Sequence, residues 1–258
     1  LELGPNKIVD MAKRLGFGED TGIDLPGENH GFLPTSRWKR QKFAEPWYPG
    51  DTINLSIGQG YLLVTPFEIF QSIIAISNRG IVYLPHFLKE VQNEKGERIE
   101  GILPKVKNRI ELRPDTWEIL IKGMTKVITE GTGRACHDLP LPVAGKTGTA
   151  QKFSSDTGAY SNRNISSFIG IAPYDNPVIT MLVVFDDPGD KKTGGVIAAP
   201  VFMNIVERTL PYLGLGGKDI SNLRVKKTSQ GMQRMDYTTM PDLSGMTISE
   251  ASIVLQDL

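Results

Sequence analysis

The chain has a single cysteine, Cys136, among 258 residues, so no disulfide can close within it. That fits a cytosolic protein, and equally an exported bacterial protein that does without bridges. No apolar run approaches the ~20 residues a bilayer-spanning helix needs, and no signal peptide opens the chain. Charge of one sign is not in excess: 29 basic and 29 acidic residues give a formal net charge of zero. Such a chain exerts no global pull on nucleic acid or on an anionic membrane. Histidine is scarce as well. His30, His86 and His137 lie in loop-like contexts, without His-x-x-x-His metal spacing and without a Gly-x-Ser-x-Gly elbow to pair with. Each reads as a surface or structural histidine, and no metal or other cofactor is implied.

What is present suffices for a substantial core, and the length suits one α/β domain with appendages. Ile8, Met11, Ala12 and Leu15 fall at helical spacing from Asn6 to Leu15, and Gly16 and Gly18 end the run. A Gly/Pro-rich connection spans Asp20 to Pro34. The polar stretch Ser36 to Lys42 is expected to be exposed. Pro66 opens the strongest helix, whose Phe67, Ile69, Phe70, Ile73, Ile74 and Ile76 form a nearly all-round apolar surface, stopped by Asn78-Arg79-Gly80. Val91 to Lys107 is charged, which suggests an exposed hairpin. Pro114 starts a helix through Val127 with Trp117, Leu120, Ile121, Met124 and Val127 on one face. Strands follow around Ala144 to Lys152, Ser167 to Ile171 and Val178 to Phe185, in antiparallel order because the connections are short. The last is a continuous β-rich run, expected to be buried on both faces. A final helix from about Ala199 to Leu210 packs on that sheet. From 214 to 236 Gly, Lys, Ser and Gln dominate, which marks a linker; Arg224-Val225-Lys226-Lys227 within it is a solvated charge cluster without aromatic stacking platforms.

The stretch with most chemistry is Lys146-Thr147-Gly148-Thr149, followed by Gln151. A compact ammonium, two hydroxyl donors and a glycine that removes a blocking Cβ make a strand edge suited to a carboxylate. Lys192-Thr193-Gly194 repeats the triplet after Asp186-Asp187-Pro188-Gly189-Asp190, a run of turn formers and charges, and reads as a solvated loop. Five further islands keep company with the first triplet: Leu15-Gly16-Phe17-Gly18 through Thr21-Gly22-Ile23-Asp24-Leu25-Pro26-Gly27-Glu28; Ser56-Ile57-Gly58-Gln59-Gly60 with Val64-Thr65-Pro66; Gly131-Thr132-Gly133; Phe168-Ile169-Gly170-Ile171-Ala172-Pro173; and Gly194 to Phe202.

In that order these islands resemble the transpeptidase domain of class B penicillin-binding proteins, the cell-wall cross-linking enzymes. The resemblance implies a mixed α/β, penicillin-binding/β-lactamase-like fold, a central antiparallel sheet flanked by helices, incomplete at its N-terminal side. Residues 1–213 would be the C-terminal portion of that domain. Tyr237 to Leu258 resembles the opening of a PASTA domain, a module that follows the catalytic domain in some division-type members.

The family's nucleophilic serine lies in Ser-x-x-Lys, with a lysine base whose pKa is lowered, and a second motif is Ser-x-Asn. By implication Lys146 contributes positive field and orients the substrate carboxylate, which the Thr147 and Thr149 hydroxyls hold. Gly148 admits the ligand, the Thr149 N–H is one oxyanion donor, and Gln151 contacts the peptide backbone. Ser36-Arg37-Trp38-Lys39 is the one Ser-x-x-Lys in the chain. Its place after Gly27-Glu28 is too late for the family's nucleophile, and its basic, polar run offers no desolvated pocket. No Ser-x-Asn occurs. Both motifs are therefore expected upstream of Leu1, and this piece alone is expected not to be acylated by penicillin.

The implied partners are a stem peptide ending in D-alanyl-D-alanine, β-lactam antibiotics and other wall-synthesis or division proteins, with no nucleic acid. The implied location is the outer face of the bacterial cytoplasmic membrane, held by an upstream anchor. The PASTA-like tail favours a septal or spore type. Two other readings stay open: a D,D-carboxypeptidase or β-lactamase, with water as acceptor, and a non-catalytic β-lactam sensor or wall-binding scaffold.

Overall fold

Proline and threonine set most helix starts. In the computed structural model, which describes residues 3–154, 159–189 and 193–213, Pro5 stands in the first turn of α1 (Gly4–Arg14). Helix α2 (Ser36–Phe43) is capped by the Thr35 hydroxyl, which accepts from the Trp38 N–H at 3.1 Å. Helix α3 (Pro49–Ser56) follows, and then α4 (Pro66–Ser77) with a reciprocal capping box. There the Thr65 hydroxyl accepts from the Glu68 N–H at 3.2 Å, and the Glu68 carboxylate accepts from the Thr65 N–H at 2.8 Å.

Four short strands come next: β1 (Ile81–Tyr83), β2 (Glu90–Gln92), β3 (Arg98–Gly101) and β4 (Val106–Arg109). The β1–β4 pair and the β2–β3 hairpin are separate antiparallel ribbons, and the hairpin is the exposed excursion expected of Val91 to Lys107. Helix α5 (Pro114–Thr129) leads into the main sheet, β5 (Ala144–Ser154), β6 (Ala159–Ala172) and β7 (Ile179–Asp186), and α6 (Gly194–Thr209) closes the domain. The sheet is antiparallel throughout, in the order β5-β6-β7.

The pleat of β6 sorts the core into two layers. Phe168 and Ala172 face α6, where Phe202, Ala198, Ala199 and Val206 are fully buried against them. Phe168 and Phe202 meet edge to face, with centroids 5.0 Å apart. Ile169 and Ile171 face the other way, with Ile73 of α4 and Met124 of α5. A third cluster joins Ala75, Val82, Ile110 and Trp117 beneath the β1–β4 ribbon.

Four expectations need correction. Strand β7 is not buried on both faces: its residues are mostly half-buried, and Val184 is 39% exposed. Among the described residues it is the outer strand of the sheet; its Met181, Val183 and Phe185 pack toward α6, while Val184, on the opposite face, is left exposed. Helix α4 is not apolar all round: beside Ile73 and Ala75 it also buries polar side chains. Glu68, Gln71 and Ser72 are buried and Phe67 is 39% exposed: Glu68 meets backbone N–H groups of the Gly-rich connection, Gln71 donates to the Thr21 and Tyr83 carbonyls, and Ser72 donates to the Ile69 carbonyl of its own helix. Helix α5 turns Trp117, Met124 and Ile128 inward and leaves Leu120 39% exposed. Helix α6 also begins five residues earlier than expected, at Gly194. The linker over 214–236 and the PASTA-like stretch over 237–258 lie outside the described residues.

Candidate active site on the edge of strand β5

Strand β5 has β6 on one side and, among the described residues, no strand on the other. Its Lys146, Thr147, Gly148 and Thr149 pair with Ile169, Phe168, Ser167 and Ser166. The pleat therefore splits the motif between two faces. Lys146 and Gly148 share the α4–α5 face with Ile169 and Ser167, and Thr147 and Thr149 share the α6 face with Phe168. Lys146, Thr149 and Gln151 are exposed, and Thr147 and Gly148 are partly so. The Lys146 ammonium folds back to donate to the Thr147 carbonyl at 2.7 Å. A Cβ on Gly148 would lie 2.4 Å from the Ser167 hydroxyl, so glycine keeps this face of the strand flat.

The threonine face is built by close backbone approach. Gly194 and Gly195, the first two residues of α6, lie directly over β5 and β6. A Cβ on Gly194 would stand 2.0 Å from the Ser167 carbonyl oxygen and 2.6 Å from that of Gly148. A Cβ on Gly195 would stand 2.1 Å from the Thr132 carbonyl oxygen. Neither position admits another residue without moving the helix. Two contacts result. The Gly194 N–H, at the positive end of α6, points to the Thr149 hydroxyl at 3.4 Å, and the Thr132 and Thr147 hydroxyl oxygens are 2.7 Å apart.

The second Lys-Thr-Gly is thus more than a solvated loop. Lys192 lies outside the described residues, but Thr193 is the N-cap of α6 and Gly194 is buried against the first triplet. Gly194 and Thr132 were not given roles by sequence reasoning. The one hint was that both belong to glycine-bearing islands, whose meeting in space no linear pattern states.

Ser36 and Lys39 lie on α2, and here the expected exposure is wrong for the lysine. Lys39 is 2% exposed. Its ammonium is 2.6 Å from an Asp51 carboxylate oxygen, 3.7 Å from one of Glu45 and 4.5 Å from the centroid of the Tyr48 ring. Burial works against the charge, but the hydrogen bond and charge of Asp51, with help from Tyr61 and Glu45, outweigh it and raise the Lys39 pKa. A lysine held more firmly protonated is poorly suited to act as a general base. His30 and His137 have side chains exposed by 62% and 61%, and among the described residues no metal-ligand cluster occurs. Cys136 is buried against the Ala199 carbonyl, and burial pushes its thiol up to about 12, so it is an inert core residue.

A family model for the penicillin-binding protein transpeptidase domain matches residues 1–207. The chain belongs to that family, on the class B side. It is 30% identical over 226 residues to the peptidoglycan D,D-transpeptidase MrdA of Escherichia coli K12, covering 83% of this chain and 34% of the relative. It is 34% identical to stage V sporulation protein D of Bacillus subtilis, over 99% of this chain and 38% of the relative. The chain thus spans about a third of the length of the curated relatives it matches. Solved penicillin-binding proteins agree in fold. Pseudomonas aeruginosa PBP2, in complex with WCK 5153, gives a TM-score of 0.67 at 32% identity over 81% of this chain and 44% of that one. Mycobacterium tuberculosis PBP3 complexed with aztreonam gives 0.68 at 30% identity over 83% and 48%. Among the described residues no helix is long and apolar enough to cross a membrane.

Proposed function

We propose that this chain forms one wall of the active site of a peptidoglycan D,D-transpeptidase, with the edge of β5 as the surface that receives the substrate. The single observation that carries the reading is the position of Lys146-Thr147-Gly148-Thr149 on an open strand edge, backed by the two glycines of α6. A ligand lying along that edge is reached from both faces of the strand. Lys146 supplies positive charge from one, and the Thr147 and Thr149 hydroxyls supply donors from the other. The Thr149 backbone N–H serves as one oxyanion donor, and Gln151 contacts the extended peptide backbone. Such a wall suits the carboxylate of a stem peptide ending in D-alanyl-D-alanine.

The chemistry is acyl transfer through a serine ester. The serine and its lysine base come from a Ser-x-x-Lys segment other than Ser36–Lys39, whose ammonium is committed to Asp51. A β-lactam would lie along the same edge of this chain; the Mycobacterium tuberculosis relative was solved complexed with one, aztreonam. MreC in complex with the Helicobacter pylori PBP2 supports wall-synthesis proteins as partners. The stage V sporulation relative aligns over 99% of this chain, which favours a spore role; a membrane-anchored location outside the cytoplasm goes with that reading. In the full-length protein, Lys146→Ala should reduce acylation by a fluorescent penicillin at least tenfold while leaving thermal unfolding unchanged. Undiminished labelling would remove the assignment.

A further inference from the structure

We infer that Thr132 is a positioning residue for this site, acting through the hydroxyl of Thr147. The inference rests on the reading of the β5 edge as an anion-receiving wall. Two hydroxyl oxygens 2.7 Å apart share one proton. A hydroxyl has one proton to give and two lone pairs to receive with. When Thr147 gives its proton to a carboxylate on the strand edge, only Thr132 can supply the proton between the two oxygens. Thr132 then fixes the rotation of the Thr147 hydroxyl so that its proton points outward, and the chain of two hydrogen bonds strengthens the outer one.

Thr132 is itself held in place. It lies in the turn after α5, where the Gly133 N–H donates to the Val127 carbonyl at 2.8 Å. Its own carbonyl faces Gly195 so closely that a Cβ there would stand 2.1 Å away. The same logic recurs one step along the strand, where the Gly194 N–H points at the Thr149 hydroxyl oxygen and leaves that proton free for the ligand. Both threonines of the motif are therefore backed by a donor on the side away from the edge. An anion is favoured over a neutral group, because each backing donor turns its threonine into a donor rather than an acceptor.

The test uses the full-length protein with Thr132→Val and Thr132→Ser, and two probes: a penicillin with a free carboxylate, and the methyl ester of the same penicillin. Thr132→Val should cut the acylation rate constant for the free acid about tenfold, near the upper end of what one hydrogen bond between neutral groups contributes, and leave the ester within about twofold. Thr132→Ser should keep the wild-type preference. Equal losses for acid and ester, or no loss for the acid, would overturn the inference, the first by assigning Thr132 a purely structural role. Should Thr132→Val not fold, Thr132→Ala carries the same comparison. Lys146→Ala is run beside them. If it leaves acylation intact, or if the wild type is not acylated, the reading of the edge itself fails; if only the Thr132 variants behave as wild type, the reading stands and this inference falls.

Discussion

Replacing Glu68 should destabilise this domain more than its surroundings in the sequence suggest. The side chain is fully buried, yet its carboxylate is ringed by backbone donors: Gly18 and Gly31 on one oxygen and Thr65 on the other, each at 2.8 Å. It ties the connection after α1, the turn at Gly31 and the start of α4 into one knot. Hydrogen bonds to a charged acceptor contribute roughly 1.5–3 kcal/mol each, and a buried donor left unpaired costs roughly 1–3 kcal/mol. Glu68→Gln keeps the shape, but its amide nitrogen must face one of the three N–H groups, most cheaply that of Thr65. Loss of that bond and the donor–donor contact, partly offset by removing a buried charge, comes to about 2–4 kcal/mol. Glu68→Ala strips all three donors and leaves a cavity, for about 4–6 kcal/mol, a large share of a typical domain's stability. Urea unfolding monitored by tryptophan fluorescence gives both numbers, and hydrogen exchange at the Gly18 and Gly31 amides should quicken in both variants. A Glu68→Ala protein within about 1 kcal/mol of wild type would refute the reasoning, since three unsatisfied buried N–H groups cannot cost so little.

Phe202→Ala should destabilise by about 3–5 kcal/mol, because Phe202 is fully buried, stacks edge-on to Phe168 and fills the space over Gly170; a loss under 1 kcal/mol in the same assay would contradict the packing. Stability should also fall on the acid side. The Leu88 and Phe87 N–H groups hold the Asp24 pKa below the usual carboxylate range; for Glu28, burial pulls upward but hydrogen bonds from the Thr21 hydroxyl, the Thr21 N–H and the Gly22 N–H prevail. Both carboxylates bind protons more weakly folded than unfolded. Their stabilisation is complete above the ordinary carboxylate pKa of about 4 and is lost as pH falls through the lowered values. Asp24→Asn combined with Glu28→Gln should flatten that acid limb in melting temperatures taken between about pH 2 and 5; an unaltered slope would show that other groups carry it.

Much of the fold could be read from local signals. Pro66 and Pro114 marked helix starts, Gly16 and Gly80 marked stops, and β5 was placed within two residues because Val143 to Lys152 has no breaker other than glycine. Local reading failed where one element's environment is set by another far along the chain. The apolar run of β7 gave no sign that, among the described residues, only one of its sides is paired, since edge or centre is decided by what pairs with it. Thr65-Pro66-Phe67-Glu68 spells a capping box, but the same carboxylate also collects Gly18 and Gly31, 50 and 37 residues away. Lys39 looked solvated in a basic run, and only folding brings Asp51 and Tyr48 around it. The site divides in the same way. Lys146 to Thr149 and Gln151 were legible as one strand; the backing by Thr132, Gly194 and Gly195 was not, because it depends on α6 landing over β5.

The placement of Lys146 and the two threonines at one open edge carries the functional account. A crystal structure of the full-length protein acylated by a penicillin tests it most directly. The account predicts the drug's carboxylate within hydrogen-bond distance of the Thr147 and Thr149 hydroxyls, its ring along the free edge of β5, and the Lys146 ammonium turned from the Thr147 carbonyl toward the ligand. A drug bound elsewhere, with the Thr132–Thr147 pair undisturbed and Lys146 still folded back on its own strand, would contradict it.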